Sequence, residues 1–221
     1  EFLDRLYFVP ESMNAPDMPV SDYAAGYGRF YSGYDGEALL KYLEEFEVDP
    51  HGRLNRLSFG QRKKALIAFA LSLNAEVLLL DEPGNGLDIP SKLCLRRLLS
   101  QYAHPERTVI LSTHQVRDIE DIVDHITVID NGRLMLNTSV SELESTVAFV
   151  HSDRIMADTL FSEKVTGGYI NILKCEDTPG YNTGNLDMEV LFDACTIGGR
   201  SFIQYLTAAS GGDRKEVDYV L

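Results

Sequence analysis

The sequence predicts an α/β protein built on a parallel sheet, followed by a small α/β extension. Short apolar runs at Val77–Leu80 (VLLL), Thr108–Leu111 (TVIL) and Ile126–Ile129 (ITVI) read as strands. Segments with helical spacing, Ile89–Tyr102 and Gln115–Asp124, lie between them. Strand–helix–strand repetition at this interval implies right-handed crossovers within one sheet. The VLLL run is apolar on both faces, as expected of a buried parallel strand.

Taken in order, residues 12–35 are rich in Pro, Gly, Tyr and Asp and predict a mobile or irregular segment. Glu37–Glu47 has the pattern of an amphipathic helix. Ser58 with Gln61 three residues later fits a capping box, opening a helix that runs to about Leu73. Asp130-Asn131-Gly132-Arg133 joins ITVI to LMLN, and its Asn-Gly pair predicts a type I′ hairpin forming an antiparallel edge on the sheet. A second capping box is expected at Ser139–Glu142. Beyond residue 146, Val147–Val150 and Tyr169–Lys174 read as strands and Leu186–Cys195 as a helix.

Composition excludes several classes. Hydrophobic residues make up 44% and charged residues 24%, values of a globular chain. Lys+Arg total 20 against Asp+Glu 34, a net charge of −14. This argues against nucleic-acid binding and a polybasic membrane anchor, both of which need clustered cations. The acid excess is spread along the chain: 14 basic and 23 acidic residues before position 146, and 6 and 11 after it. That distribution fits a soluble cytoplasmic surface. Cys94, Cys175 and Cys195 are odd in number and widely spaced, which suits free thiols in a reducing compartment. The most apolar window, Ala65–Leu80, is broken by Ser72, Asn74 and Glu76, too soon for a membrane span. The start resembles no signal peptide and lacks an initiator Met, so the natural chain is expected to begin further upstream.

Four short stretches carry the chemistry. In Leu57-Ser58-Phe59-Gly60-Gln61, the Gly lets an anion approach the unpaired N–H groups and positive end of the helix that follows. Alone it is equally an ordinary helix start. In Val77–Pro83 (VLLLDEP), Asp81 and Glu82 end a buried strand, the edge where α/β sheets place ligands. An Asp there can hold Mg²⁺, and the neighbouring Glu can orient and deprotonate a water. A strand's exit into a loop is the plainer account. Gly86-Leu87-Asp88 reads as a turn and helix cap. His114 in Ser112-Thr113-His114 ends the next strand and can reach the same edge, although a lone His is more often structural.

Together, in this order and spacing, the four stretches resemble the ABC-type ATPases, which are P-loop NTPase-like. LSFGQ resembles their signature motif, VLLLDEP the Walker B strand, NGLD the D-loop and STH the switch histidine. The resemblance covers residues 1–145, with a helical subdomain at about 12–75; residues 146–221 look like the accessory tail of ABC-2-type transporter ATPases. It implies two cassettes meeting head to tail around ATP and Mg²⁺. Asp81 would then be a metal ligand, Glu82 the general base and His114 a γ-phosphate contact. Ser58, Gly60 and Gln61 would touch the partner cassette's nucleotide, and Asp88 would communicate across the dimer. A transmembrane permease would be the other partner, which places the chain on the cytoplasmic face of the membrane.

The pattern departs from the family at two points, the phosphate-binding loop and Phe59, and a third position, Glu11, fits less securely than a Gln would. None of the glycines begins the run GxxxxGK[ST], whose amides and Lys cradle phosphates. The residues given are therefore expected to be inactive alone, and to represent a cassette from the Q-loop onward. Glu11, ending Tyr7–Glu11, stands where the family has a Gln or Glu near the metal, and adds a negative charge. Phe59 replaces a glycine of the signature. Two other readings are a soluble ABC protein of DNA repair or translation, and an inactive regulatory cassette. The absence of heptads before Leu57 and the acidity weigh against the first, and the intact Asp81–Glu82 pair with His114 against the second.

Overall fold

The computed structural model describes residues 4–178, 183–198 and 200–209, so Glu1–Leu3 of the amino-terminal run lie outside it. The chain divides into two compact units, Glu1–Ile122 and Val123–Leu221. This boundary falls earlier than the one at 145 expected from the motifs.

The first unit holds a parallel three-stranded sheet in the order β1 (Leu6–Val9), β2 (Val77–Asp81), β3 (Thr108–Ser112). Leu78 pairs with Tyr7 and Val109, and Asp81 with Ser112, so β2 is central and its last carboxylate sits beside the end of β3. Leu78 and Leu80 are fully buried, whereas Leu79 is only half-buried. Its row neighbours Phe8 and Ile110 are half-exposed. The strand is thus buried on one face rather than both, because the helices of this unit cover only the Leu78 side.

Helices α1 (Val20–Gly28), α2 (Gly36–Glu45) and α3 (Phe59–Ser72) lie between β1 and β2. The stretch expected to be irregular contains α1, because Val20, Tyr23 and Ala24 recur on one face and bury there. Asp35 caps α2 by accepting from the Glu37 and Ala38 amides. Phe69 of α3 is wholly buried, with Tyr7, Tyr23 and Tyr34 packed around it at centroid distances of 5.5, 5.2 and 6.3 Å. Burial of these rings holds the Tyr7 hydroxyl well above its ordinary titration range.

Helix α4 (Ile89–Tyr102) has the predicted bounds. The segment expected to be a helix from Gln115 to Asp124 is instead two 3₁₀ turns, Val116–Asp118 and Glu120–Ile122. The cause is tethering at its start. Lys92 of α4 pairs with Asp118 at 2.5 Å and donates to Gln115 Oε1 at 2.8 Å, and the Gln115 amide is taken by Thr113 Oγ1.

The second unit begins with the hairpin β4 (His125–Asp130) and β5 (Arg133–Ser139). Asn131 and Gly132 both have positive φ, as a type I′ turn requires. The hairpin is a separate two-stranded sheet and not an edge of the parallel one. Val128 and Leu136 place it in the core of this unit, with Val190 and Leu191 of α6 (Met188–Thr196). Ser139 caps α5 (Val140–Thr146), but the Glu142 carboxylate turns to Thr138 Oγ1, so only half of the expected box forms. An antiparallel sheet follows in the order β7 (Phe161–Val165), β8 (Gly168–Lys174), β6 (Val147–Ser152), β9 (Thr183–Gly184). Helix α7 (Arg200–Ala209) is the last element among the described residues.

Candidate functional site

The site grows from the ends of β2 and β3. Asp81 Oδ1 accepts from Ser112 Oγ at 2.6 Å, and its Oδ2 lies 3.4 Å from the amide of Glu11, just past β1. Glu82 follows in the left-handed region at φ 45°, a conformation costing a non-glycine residue about 1–2 kcal/mol. Two hydrogen bonds hold it there: its N–H donates to Ser112 O at 2.9 Å, and its carbonyl accepts from Asn85 N at 3.1 Å. The bend turns the carboxylate towards the segment after β3. Oε1 accepts from the His114 amide at 3.0 Å and pairs with His114 Nδ1 at 2.7 Å, while Oε2 accepts from Thr113 Oγ1 at 3.2 Å.

Exposure separates the two partners. The Glu82 side chain is 18% exposed and the His114 ring 67%. The Glu82 carboxylate is therefore largely shielded, with both oxygens hydrogen-bonded, whereas the imidazole faces solvent. A neutral His114 donating through Nδ1 leaves Nε2 as an acceptor, with Gln115 Nε2 3.5 Å away.

Glu11 joins this group through its side chain, its Oε1 accepting from Asn85 Nδ2 at 2.6 Å. His114 thus reaches the strand edge that carries Asp81 and Glu82, and Glu11 is tied to that edge through its amide at Asp81 and its side chain at Asn85. Among the described residues no three His, Cys, Asp or Glu side chains form a metal cage. The oxygen donors at Asp81 nevertheless suit Mg²⁺, which is commonly held by one or two carboxylates together with substrate phosphates and waters.

Ser58 and Gln61 lie elsewhere, at the start of α3. Ser58 Oγ accepts from Gln61 N at 3.2 Å and Ser58 N faces Gln61 Oε1 at 3.4 Å, the expected reciprocal box. No hydrogen bond among the described residues links either of them to Asp81, Glu82 or His114. The amides of Phe59 and Gly60 belong to the first helical turn, where no intrahelical acceptor exists. Gly60 is pressed against the loop after β2: a Cβ on it would stand 2.7 Å from the Gly86 carbonyl oxygen. Gly86 has φ 75°, and the Phe59 ring fills the space a Cβ there would need. Gly86 thus leaves room for the Phe59 ring. Asp88 caps α4, accepting from Ser91 N at 2.9 Å. Bonds from Ser91, its side chain foremost, hold the Asp88 carboxyl below the usual range.

Sequence reasoning overlooked Lys63. It is 3% exposed, and its Nζ donates to Glu11 O at 2.8 Å, Asp81 O at 3.1 Å and Pro10 O at 3.3 Å. Burial pushes its ammonium pKa down, while Glu11, Asp81 and Glu82 act in the opposite direction. A clue was available: Lys63 shares a helical face with Leu66, Ile67 and Ala70. Asn85, Ser112 and Thr113 stand within the motifs and likewise carried no assigned role.

A family model described as "AAA domain, putative AbiEii toxin, Type IV TA system" matches residues 27–117. The energy-coupling factor transporter ATP-binding protein EcfA2 of Lactobacillus delbrueckii is 33% identical over 111 residues, covering 48% of this chain and 38% of that protein. The Nod factor export ATP-binding protein I of Burkholderia lata is 31% identical over 135 residues, covering 58% and 44%. The arabinose import ATP-binding protein AraG of Pseudomonas syringae is 33% identical, covering 59% and 26%. The chain thus spans less than half the length of these relatives. Among solved structures, an ATP-binding subunit of an ABC transporter superposes with a TM-score of 0.58 at 19% identity, covering 64% of this chain and 61% of that one. An ATP-binding cassette in a post-hydrolysis state with ADP and Pi gives 0.54 at 24% identity, covering 62% and 63%.

Proposed function

With the fold and motif order of an ABC-type ATP-binding cassette as premise, we propose that this chain belongs to the ATP-hydrolysing subunit of a membrane transporter. The single observation that carries the reading is the Glu82 carboxylate, held by His114 and Thr113 beside Asp81 at the end of a central parallel strand. Asp81 would hold Mg²⁺, with Ser112 orienting its carboxylate and Glu11 nearby. The metal would neutralise charge on the phosphates. Glu82 takes the proton of an attacking water on its carboxylate, and His114 turns its exposed ring towards the terminal phosphate. The start of α3, with Ser58, Gly60 and Gln61, offers its free amides and dipole to the nucleotide of a second cassette. Asp88 faces the same partner from the start of α4. A regulatory role without turnover is less favoured, because Glu82 is held in a strained conformation that such a role would not need.

No helix among the described residues is long and apolar enough to cross a membrane. A separate transmembrane permease is the proposed partner, with this chain docked on its cytoplasmic face. Of the aromatic residues in segment 12–35, Tyr23, Tyr31 and Tyr34 pack inward, while Tyr27 and Phe30 are 49% and 64% exposed. The last two are the proposed docking contacts.

The test compares the full-length protein with the 221 residues alone. Full-length protein is expected to release phosphate from ATP with Mg²⁺ and to co-purify with a membrane subunit, and the 221-residue polypeptide to release none. Absence of turnover from the purified transporter complex would contradict the proposal. Turnover by the 221 residues alone would show that the phosphate-binding loop is dispensable.

A further inference from the structure

We infer that Lys63 is a positioning residue that sets the geometry of the acidic site. An ammonium carries three donors, and all three of its acceptors here are main-chain carbonyls from two strand ends: Pro10 and Glu11 after β1, and Asp81 at the end of β2. Two of those carbonyls belong to the residues whose carboxylates face the site. One atom therefore fixes the spacing between the backbones from which the Glu11 and Asp81 side chains depart.

The placement has a second consequence. Glu11, Asp81 and Glu82 all act electrostatically on the Lys63 ammonium, and a cation placed among acidic residues offsets their mutual repulsion. Lys63 lies within electrostatic reach of all three. It forms no ion pair with any of them, so it attracts them without taking up the oxygens that a metal would need. Lys63 also sits on the first turns of α3, the helix that carries Ser58 and Gly60. The same side chain consequently joins the proposed partner-facing helix end to the proposed metal-binding strand end.

The functional part of this inference rests on the ATPase reading; the clamp itself does not. Full-length Lys63→Met is expected to raise the Mg²⁺ concentration for half-maximal ATP turnover by about 10- to 100-fold, the effect of removing a residue that orients a metal ligand. KM for ATP at saturating Mg²⁺ should stay unchanged. In hydrogen exchange without nucleotide, the Glu11 and Glu82 amides should lose protection. Lys63→Arg, which keeps the charge and the donors, should stay near wild type in both measurements. Wild-type Mg²⁺ dependence and exchange in folded Lys63→Met would overturn the inference. Should that variant fail to fold, Lys63→Gln, with two shorter-reaching donors, is expected midway, and wild-type values for it would overturn the inference equally. If wild-type protein hydrolyses no ATP, the ATPase reading falls. Amide exchange then decides the clamp alone: faster exchange sustains it and unchanged exchange removes it.

Discussion

Full-length protein carrying Glu82→Gln is expected to lose turnover by about 10²–10⁴-fold, the usual contribution of a general base, while still binding ATP and pairing with a second copy. The two side chains have the same shape, so the left-handed backbone at residue 82 and its bonds to Ser112 and Asn85 need not change. The amide oxygen can keep the hydrogen bonds from the His114 N–H groups. What disappears is the negative charge that accepts a proton. Phosphate release, read beside ATP-dependent gel filtration, separates the two properties. Turnover near the wild-type rate would remove Glu82 from the chemistry.

Gly60→Ala should give the second-largest effect, and its direction is decided by two opposing magnitudes. Alanine is the better helix former by about 1 kcal/mol. Its Cβ, however, would stand 2.7 Å from the Gly86 carbonyl oxygen, which is backbone and cannot rotate aside. Forcing such a contact costs about 1–3 kcal/mol, so the net change is destabilising or close to neutral. The functional loss should be larger. The start of α3 and the loop leading to Asp88 must move apart, and a displacement of about 1 Å in a positioned group can cost about 10²-fold in rate. Urea unfolding of full-length protein together with phosphate release checks both parts. Unchanged turnover would show that the packing of Gly60 on Gly86 does not set the geometry of the site.

The parts of the fold that were legible in the sequence are those fixed by local chemistry. Helix α4 begins at Asp88 because its carboxylate meets the Ser91 amide, and α3 begins at Ser58 because Gln61 answers it; both follow from neighbouring residues alone. The Asn131–Gly132 turn is of the same kind. The misses arise from distant partners. Lys92 of α4 pins Gln115 and Asp118, which breaks a helical pattern into 3₁₀ turns. Burial of Tyr23 against Phe69 orders α1 within a Pro- and Gly-rich stretch. The hairpin joins the second unit because its apolar face meets α6, which the motif at its turn could not reveal. The carboxylates and His114 were readable by order and spacing. Lys63, Asn85 and Thr113 were not, because they act through carbonyls and carboxylates brought near only by folding.

A composite site, with Glu82 from one cassette and Ser58 from its partner, is tested most directly by mixing two full-length variants. Glu82→Gln lacks the base and Ser58→Arg lacks a usable signature end, so neither should hydrolyse ATP alone. A mixed dimer holds one site with both defects and one with neither, so the mixture is expected to recover phosphate release. Mixed dimers that form, as shown by differently tagged copies co-purifying with ATP, yet stay inactive at every ratio would contradict the account.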